Sequence, residues 1–365
     1  MSGAMKTRLV VEFTKAGADV TELIMPDLLS FSYTDNESEE SDEVSISLKD
    51  PTGKWAGTWK PKGGEIIRAY IQQGTVTWEG KKLYCGKFYA DSLSASGSPR
   101  TVSIKAVAIP LNKPIRKKIK SKAWENVDLV EVANTIGAGA EMKVVFDVEE
   151  DAIPTYDRVE QKRESDLKFL LRLCEEAGFS LKVTDDKIYI FDQYSYEKKK
   201  PIKTFELGIS DILDWGFESA QSETYKSVTL AFRDPDLKQP NEAGGYSLSE
   251  SETLEKDGEN KAVWNYTYFD PEADEDGQEF GYKTRCKSLN EARRKAKAKL
   301  RELNKRVITG NMSVVGDVNL VAGAVIECKG FGSFDGNFII EKAEHSYSTS
   351  GYVTKIDVRR TNANY

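Results

Sequence analysis

Between Lys6 and Ala108 the apolar positions recur with period two: Leu9-Val11-Phe13, Val44-Ile46-Leu48, Ile67-Ala69-Ile71 and Val102-Ile104-Ala106 each put alternate residues on one face. Turn-forming runs separate them, among them Asp50-Pro51-Thr52-Gly53, Lys62-Gly63-Gly64 and Gly97-Ser98-Pro99. Short, punctuated strands of this kind predict a small antiparallel barrel or sandwich.

The period then changes. Leu129, Val132, Ala133 and Ile136 share a helical face behind the capping-box-like pair Asp128 and Glu131; Gly137 and Gly139 are read as its stop, and Met142 to Val148 as the following strand. A second unit runs from Tyr156 to Asp192. Ser165 is placed to cap a helix and Asp166 to meet the positive end of its dipole. Leu167, Leu170, Leu171, Cys174 and Ala177 form the apolar stripe, and Gly178 supplies the left-handed residue that ends it. Phe179-Leu181-Val183 and Ile188-Ile190, on either side of Asp185-Asp186-Lys187, predict a hairpin. Neither unit can bury its own helix, so the two should pack as one central α+β domain.

Beyond Lys198-Lys199-Lys200-Pro201 strands are predicted at Lys203 to Leu207 and Ser227 to Phe232. From Asp234 to Gly281 the chain turns acidic and loses periodicity, apart from the aromatic run Val263 to Phe269, which suggests an inserted arm, partly hairpin. Ser288 and Glu291 form a capping box for a helix reaching Arg306. Its stripe of Leu289, Ala292, Ala296, Leu300, Leu303 and Val307 fits a helix laid on a sheet, its alanines allowing close approach, or a short coiled-coil seam. Glycine-punctuated strands follow at Ala324 to Lys329, Asn337 to Glu344 and Tyr352 to Arg359. The fold class is therefore α+β and mostly β: two small antiparallel β-barrel domains flanking a helix-strand domain. The divisions are 5–109, 110–200 and 201–365, the last carrying the insertion 234–281 and the helix 288–306.

Composition narrows the chemistry. Charged residues make up 30% of the 365 and the formal charge is -7, the balance of a globular chain whose main partner is not nucleic acid. No apolar run is long enough for a membrane span, no export leader is seen, and Met1 to Ala4 are set aside from the fold argument. Cys85, Cys174, Cys286 and Cys328 are scattered without a C-x-x-C pair, as expected of reduced, mostly buried thiols. The chain has one histidine, His345, and no Gly-x-Ser-x-Gly elbow, so His345 is read as a polar residue at a strand edge rather than a catalytic base.

Each tempting motif has a plainer reading beside it. The acidic run Asp35 to Glu43 is read as a solvated loop, with a cation or cationic partner as the alternative. Lys113 to Lys122 (KPIRKKIKSK) reads as a solvated connector; a phosphate-binding edge or a protein interface are the alternatives, and no aromatic residue is interleaved for base stacking. Glu272 to Gly277 matches half of a calcium loop, but position twelve would be Lys283 in place of a bidentate glutamate. Gly63-Gly64 and Gly244-Gly245 lack the residues of a phosphate loop. With 59 acids, a glycosidase-like carboxylate pair stays open, though no acid is singled out. No catalytic residue, cofactor or metal ligand is assigned.

The segment Glu160 to Leu167 (EQKRESDL) leading into Phe169-Leu170 and Glu175-Glu176-Ala177-Gly178-Phe179, with Asp335-Gly336-Asn337-Phe338, Glu344-His345-Ser346 and Gly351-Tyr352, resembles the phage late control gene D proteins. These are baseplate hubs of contractile tails, related to the hub portion of type VI secretion spikes. The resemblance implies a structural, non-enzymatic role as a homotrimer whose two barrels per subunit make a six-part ring, with tail tube above, a separate spike below and other baseplate proteins around it. It implies a location in a phage tail or tailocin, with assembly in the bacterial cytoplasm. A tail-associated cell-wall hydrolase and a carbohydrate- or surface-binding module remain the alternatives.

Overall fold

A computed structural model describes residues 6–15, 18–19, 21–38, 40–58, 60, 65–74, 80–108, 114–184, 186–220, 224–234, 237, 247–256, 263–271, 273, 276–284, 286 and 288–362. Met1 to Ala4, the turn at Lys62-Gly63-Gly64, the Gly244-Gly245 pair and Glu272, Asp274 and Glu275 of the calcium-like run lie outside them. The fold is α+β and predominantly β.

The first part contains β1 (Lys6–Lys15), β2 (Ala18–Asp19), α1 (Thr21–Ile24), β3 (Leu28–Asn36), β4 (Glu43–Lys49), β5 (Ile66–Gly74), β6 (Lys82–Ser96) and β7 (Thr101–Val107). The period-two residues of β1, β4, β5 and β7 all face one core, which Phe31, Trp55 and Phe88 complete. Strand β6 carries no clean alternation, because it changes neighbours along its length, and β3 loses its alternation at Thr34, where buried polar residues follow Phe31 and Tyr33.

The middle part contains α2 (Pro114–Lys117), β8 (Ile119–Asp128), α3 (Leu129–Gly139), β9 (Lys143–Asp147), β10 (Thr155–Ser165), α4 (Asp166–Ala177), β11 (Ser180–Val183), β12 (Lys187–Phe191) and α5 (Gln193–Glu197). Helices α3 and α4 pack on the small sheet β11-β12-β9 around one core that holds Phe169, Leu173, Cys174, Ile188 and Ile190. Full burial of each such side chain contributes about 1.5–3 kcal/mol. Three readings of this part are corrected. The basic run 113–122 is not simply a connector: Ile119 opens β8, which pairs antiparallel with β10 over nearly its whole length. Gly137 does not stop α3 but lies inside it, where an added Cβ would sit 2.6 Å from the Val144 side chain, so its smallness permits helix-to-strand contact. The buried stripe of α4 includes Phe169 and Leu173, while Leu167 and Leu171 are only half-buried.

The last part contains β13 (Lys203–Glu206), β14 (Ile212–Ser219), β15 (Tyr225–Arg233), β16 (Glu252–Lys256), β17 (Val263–Phe269), β18 (Gln278–Gly281), α6 (Leu289–Asn304), β19 (Ile308–Val315), β20 (Val325–Lys329), β21 (Gly336–Ser348) and β22 (Gly351–Arg360). Within 234–281, β16, β17 and β18 join β15 in a four-stranded sheet, order β16-β17-β15-β18. Helix α6 lies on that sheet: Leu289, Ala292, Ala296 and Leu300 share a core with Val228, Leu230, Trp264 and Tyr266. A fourth core, under Phe205, Met312, Phe338 and Ile356, belongs to the closing strands.

The first and last parts are not separate sheets. One 13-stranded sheet runs β14-β19-β22-β21-β3-β4-β7-β6-β5-β1-β2, with β20 pairing β21 and β13 pairing β20. The join is β21 to β3, antiparallel from Lys342↔Asn36 to Ser348↔Ser30. A second tie comes from Gln73, whose Nε2 donates to Gly316 O at 2.7 Å while its Oε1 accepts from Val318 N at 3.1 Å. Gly316 is needed there, since a Cβ would stand 2.1 Å from the Tyr352 ring.

Candidate functional site: a buried polar junction

Because β3 is flanked by β21 and β4, its last residues, Asp35 and Asn36, lie inside the molecule, at the meeting of all three parts. Asp35, Asn36, Glu37 and Asp42 are all buried, at 4–6% exposure. The reading of this run as a solvated loop is therefore corrected at these four positions, while Glu40 and Glu43 are exposed as expected. A buried carboxylate needs partners, and here they arrive from far along the chain.

Lys182 of β11 reaches across from the middle part, ion-pairing with Asp35 and, at 3.3 Å, with Asp42, and donating to Asn36 O at 2.8 Å. Asp35 also accepts from Ala322 N at 2.9 Å, and Asp42 from Asn36 N at 3.0 Å. Burial pushes the Lys182 ammonium toward neutrality, but the two carboxylates outweigh it and hold its pKa above the ordinary value. Two acids share one lysine. Burial, with Asp35 adding to it against the pull of Lys182, pushes Asp42 up to about 6.

A second cluster lies beside the first. Burial would raise the Glu197 carboxyl at the end of α5, but Arg359 and Arg301 overcome it and hold the group below its usual range. Arg359 Nη2 and Arg301 Nη2 stand 2.7 Å and 2.6 Å from Glu197 Oε1, and Asn362 N donates to Oε2 at 3.1 Å. Arg359, on β22 and fully buried, also places Nε 3.1 Å from Glu341 Oε1. Glu37 N donates to Glu341 O at 2.9 Å, and Glu37 Oε2 accepts from Gln193 Nε2 at 2.7 Å. Burial raises the Glu37 pKa. The arrangement is a chain of ionic and hydrogen bonds that fixes β3, β22, α5, α6 and β11 against one another, and it makes no catalytic constellation.

His345 is corrected as well. It lies in β21 with strands on both sides, fully buried, not at an edge. Its Nδ1 is 2.6 Å from the Tyr352 hydroxyl and 3.4 Å from Thr354 Oγ1, and its ring stacks between those of Tyr33 and Tyr352. Burial lowers its pKa to about 4, so it is neutral in the fold.

The helix-end residues lie apart from this junction. Ser165 Oγ accepts from Lys168 N at 3.3 Å, and Ser288 Oγ from Glu291 N at 3.3 Å. Asp166 pairs with Lys120 at 2.5 Å and accepts from Gln161 Nε2 at 3.0 Å. Gly178 takes φ +80°, and Phe179 N closes the helix end onto Cys174 O at 2.8 Å. The four cysteines are free and buried. Among the described residues, no three His, Cys, Asp or Glu side chains gather as a metal site, and no helix is long and apolar enough to cross a membrane.

Sequence reasoning missed the junction because most of its contacts join residues 104 or more positions apart. The one available signal was that the acidic run directly follows a strand rich in Phe and Tyr.

Against known proteins, the model of the family described as phage tail baseplate hub (GPD) matches residues 98–351. A curated relative from Escherichia phage P2, carrying the name "Probable baseplate hub protein", is 30% identical over 173 residues, covering 47% of this chain and 42% of its own length. The chain thus spans less than half of that relative. A 43 kDa tail protein of prophage MuSo2 from Shewanella oneidensis has a solved structure that superposes with a TM-score of 0.68 at 12% identity, covering 98% of this chain and 99% of that one. A type VI secretion system component of Escherichia coli superposes at 0.51 with 13% identity, covering 99% of this chain and 78% of that one. At such identities the two structures speak for the fold alone.

Proposed function

From the premise that the chain belongs to the phage tail baseplate hub family, we propose that it is a structural hub: a homotrimeric ring joining the tail tube of a contractile phage tail or tailocin to a separate spike. The reading includes neighbouring baseplate proteins as partners, assembly in the bacterial cytoplasm and no enzymatic step. It assigns the β strands of 5–109 and of 201–365 to two barrel-like bodies, with 110–200 between them. Ser165, Asp166, Gly178, Ser288 and Glu291 serve the helix ends and no chemistry.

The observation that carries the reading, beyond family membership, is the β21–β3 join. It turns two β regions from opposite ends of the chain into one sheet, as an adaptor needs if each subunit is to present two similar bodies to a ring. The buried junction then holds the middle part rigidly against that sheet. Such rigidity suits a part that transmits force and not one that turns over substrate.

Electron microscopy of tail particles purified from cells expressing a tagged copy tests this. The tag should appear on the particle axis between tube and spike, three copies per particle. Particles complete at that position without the tagged chain would refute it.

A further inference from the structure

Cations crowd one helix. From Leu289 to Arg306, across α6, stand eight Lys or Arg against two Glu, in a chain whose formal charge is -7. One face of α6 lies on the β16-β17-β15-β18 sheet. Another meets the end of α4, where a Cβ added to Gly178 would sit 3.0 Å from the Ala298 side chain. Around this contact opens a cleft of about 780 Å³ between α4, the start of α5 and α6. A second hollow, of about 500 Å³, adjoins it on the side of β16 and β17, and Ala152, Arg294 and Lys297 line both. The two make one groove across α6.

Seven of the residues lining the cleft are Lys or Arg and four are Asp or Glu, far more charge than the few polar groups that orient a small organic ligand. Four of the seven cations are engaged within the chain: Arg172 by Glu164 at 2.8 Å, Lys295 by Glu291 at 3.0 Å, and Arg301 and Lys305 by Glu197 and Glu302, each at 2.6 Å. Arg294, Lys297 and Lys299 have no carboxylate within ion-pair distance among the described residues. Arg294 Nε is also a buried donor without a hydrogen-bond partner there, which costs free energy until an acceptor arrives. Unpaired like charges on a concave wall reinforce one another's field and draw in an anion.

We infer that the groove binds an acidic peptide, a segment of another protein whose carboxylates pair with Arg294, Lys297 and Lys299. The inference goes beyond the hub reading and does not depend on it. Two features favour a peptide over a nucleic acid. The four carboxylates of the wall repel a backbone charged at every unit, whereas a peptide can set neutral residues opposite them. The rings lining the groove are also closed to base stacking. Phe179, Tyr266 and Tyr268 are buried, Tyr194 has Lys198 over it at 3.6 Å and Arg301 at 5.1 Å, and Tyr282 has Lys299 at 5.9 Å.

Fluorescence anisotropy of the purified chain with a fluorescein-labelled octapeptide of alternating Glu and Ser tests it, against a Gln-Ser octapeptide as the neutral match. The acidic peptide should bind, more weakly as salt rises, and the neutral one should not. Arg294→Glu with Lys297→Glu should weaken binding at least about tenfold. Lys105→Glu with Lys355→Glu makes the same change of charge at exposed positions of β7 and β22 and should leave binding within about twofold. The comparison of the two peptides on the parent chain decides the matter even where a variant fails to fold. Equal binding of both peptides, binding of neither, or equal losses in the two variant pairs would overturn the inference. So would tighter binding of a thymidine oligonucleotide of the same charge, or self-association of the chain that Arg294→Glu with Lys297→Glu abolishes, since the occupant would then be a nucleic acid or a second copy. None of these outcomes bears on the hub reading, which the images of tagged particles decide.

Discussion

Helix α4 and the corner from Asp35 to Asp42 both place polar residues at the end of a regular element, but they satisfy them in opposite ways. At α4 the partners are local: Ser165 caps Lys168 N three residues on, and Phe179 N bonds Cys174 O five residues back. At the corner they are remote, Lys182 standing 146 residues from Asn36 and Ala322 287 from Asp35. Local satisfaction makes an element that can form early and fails gently when one bond is lost. Remote satisfaction in a buried site ties separate parts together and fails hard, because a charge left behind has neither partner nor water.

Removing one member of the junction should give the largest effect. Arg359→Ala leaves Glu197 with Arg301 as its one arginine and strips Glu341 of one of its two, the other being Arg306. Breaking a buried pair from one side costs about 3–5 kcal/mol, so urea unfolding should show a loss of that order. A loss below about 1 kcal/mol, typical of exposed pairs, would erase the distinction between remote and local satisfaction.

The comparison is sharpened by pH. His345 is held neutral with a pKa of about 4 against an ordinary 6.5, so the unfolded chain takes up a proton first. Its contribution is fully present above about pH 6.5 and is lost as pH falls toward 4, by about 3 kcal/mol in total. Asp42 acts in the other sense. With its pKa raised to about 6, the fold gains relative stability as pH falls through that value. His345→Gln should therefore unfold at a higher temperature relative to the parent at pH 4.5 than at pH 7.5 in calorimetric scans. A difference between the two proteins that does not change with pH would show that the histidine is not held neutral.

The smallest effect belongs to the local element. Ser165→Ala removes one helix cap and should cost about 1 kcal/mol, with no change in the pH dependence of unfolding. Hydrogen exchange confined to the first turn of α4 would accompany it. A loss as large as that of Arg359→Ala would mean that α4 is coupled to the junction after all.

Much of the chain was legible from its own pattern. Period two located β1, β4, β5 and β7, and the capping pairs located α3, α4 and α6, because alternation and capping are read over a few neighbouring residues. Strands β3, β6, β14 and β19 escaped. β6 divides its pairing between β5 and β7, and β14 is an edge strand that leaves most of its side chains exposed, so neither has a clean two-faced pattern. The segment 234–281 looked aperiodic because β16, β17 and β18 are short and separated by long connections, though Trp264 and Tyr266 are core residues.

By itself, then, the sequence determined the local elements, their caps, the α+β class and the motifs that resemble the hub family, all of which depend on residues within a turn or two of each other. The tertiary structure alone decided that β21 pairs with β3, that Asp35, Glu37 and Asp42 of an acidic run are interior and not solvated, and that a lone histidine is sealed between two tyrosine rings. Those outcomes depend on which distant strands become neighbours. A carboxylate reads the same in sequence whether water or a lysine 140 residues away will face it.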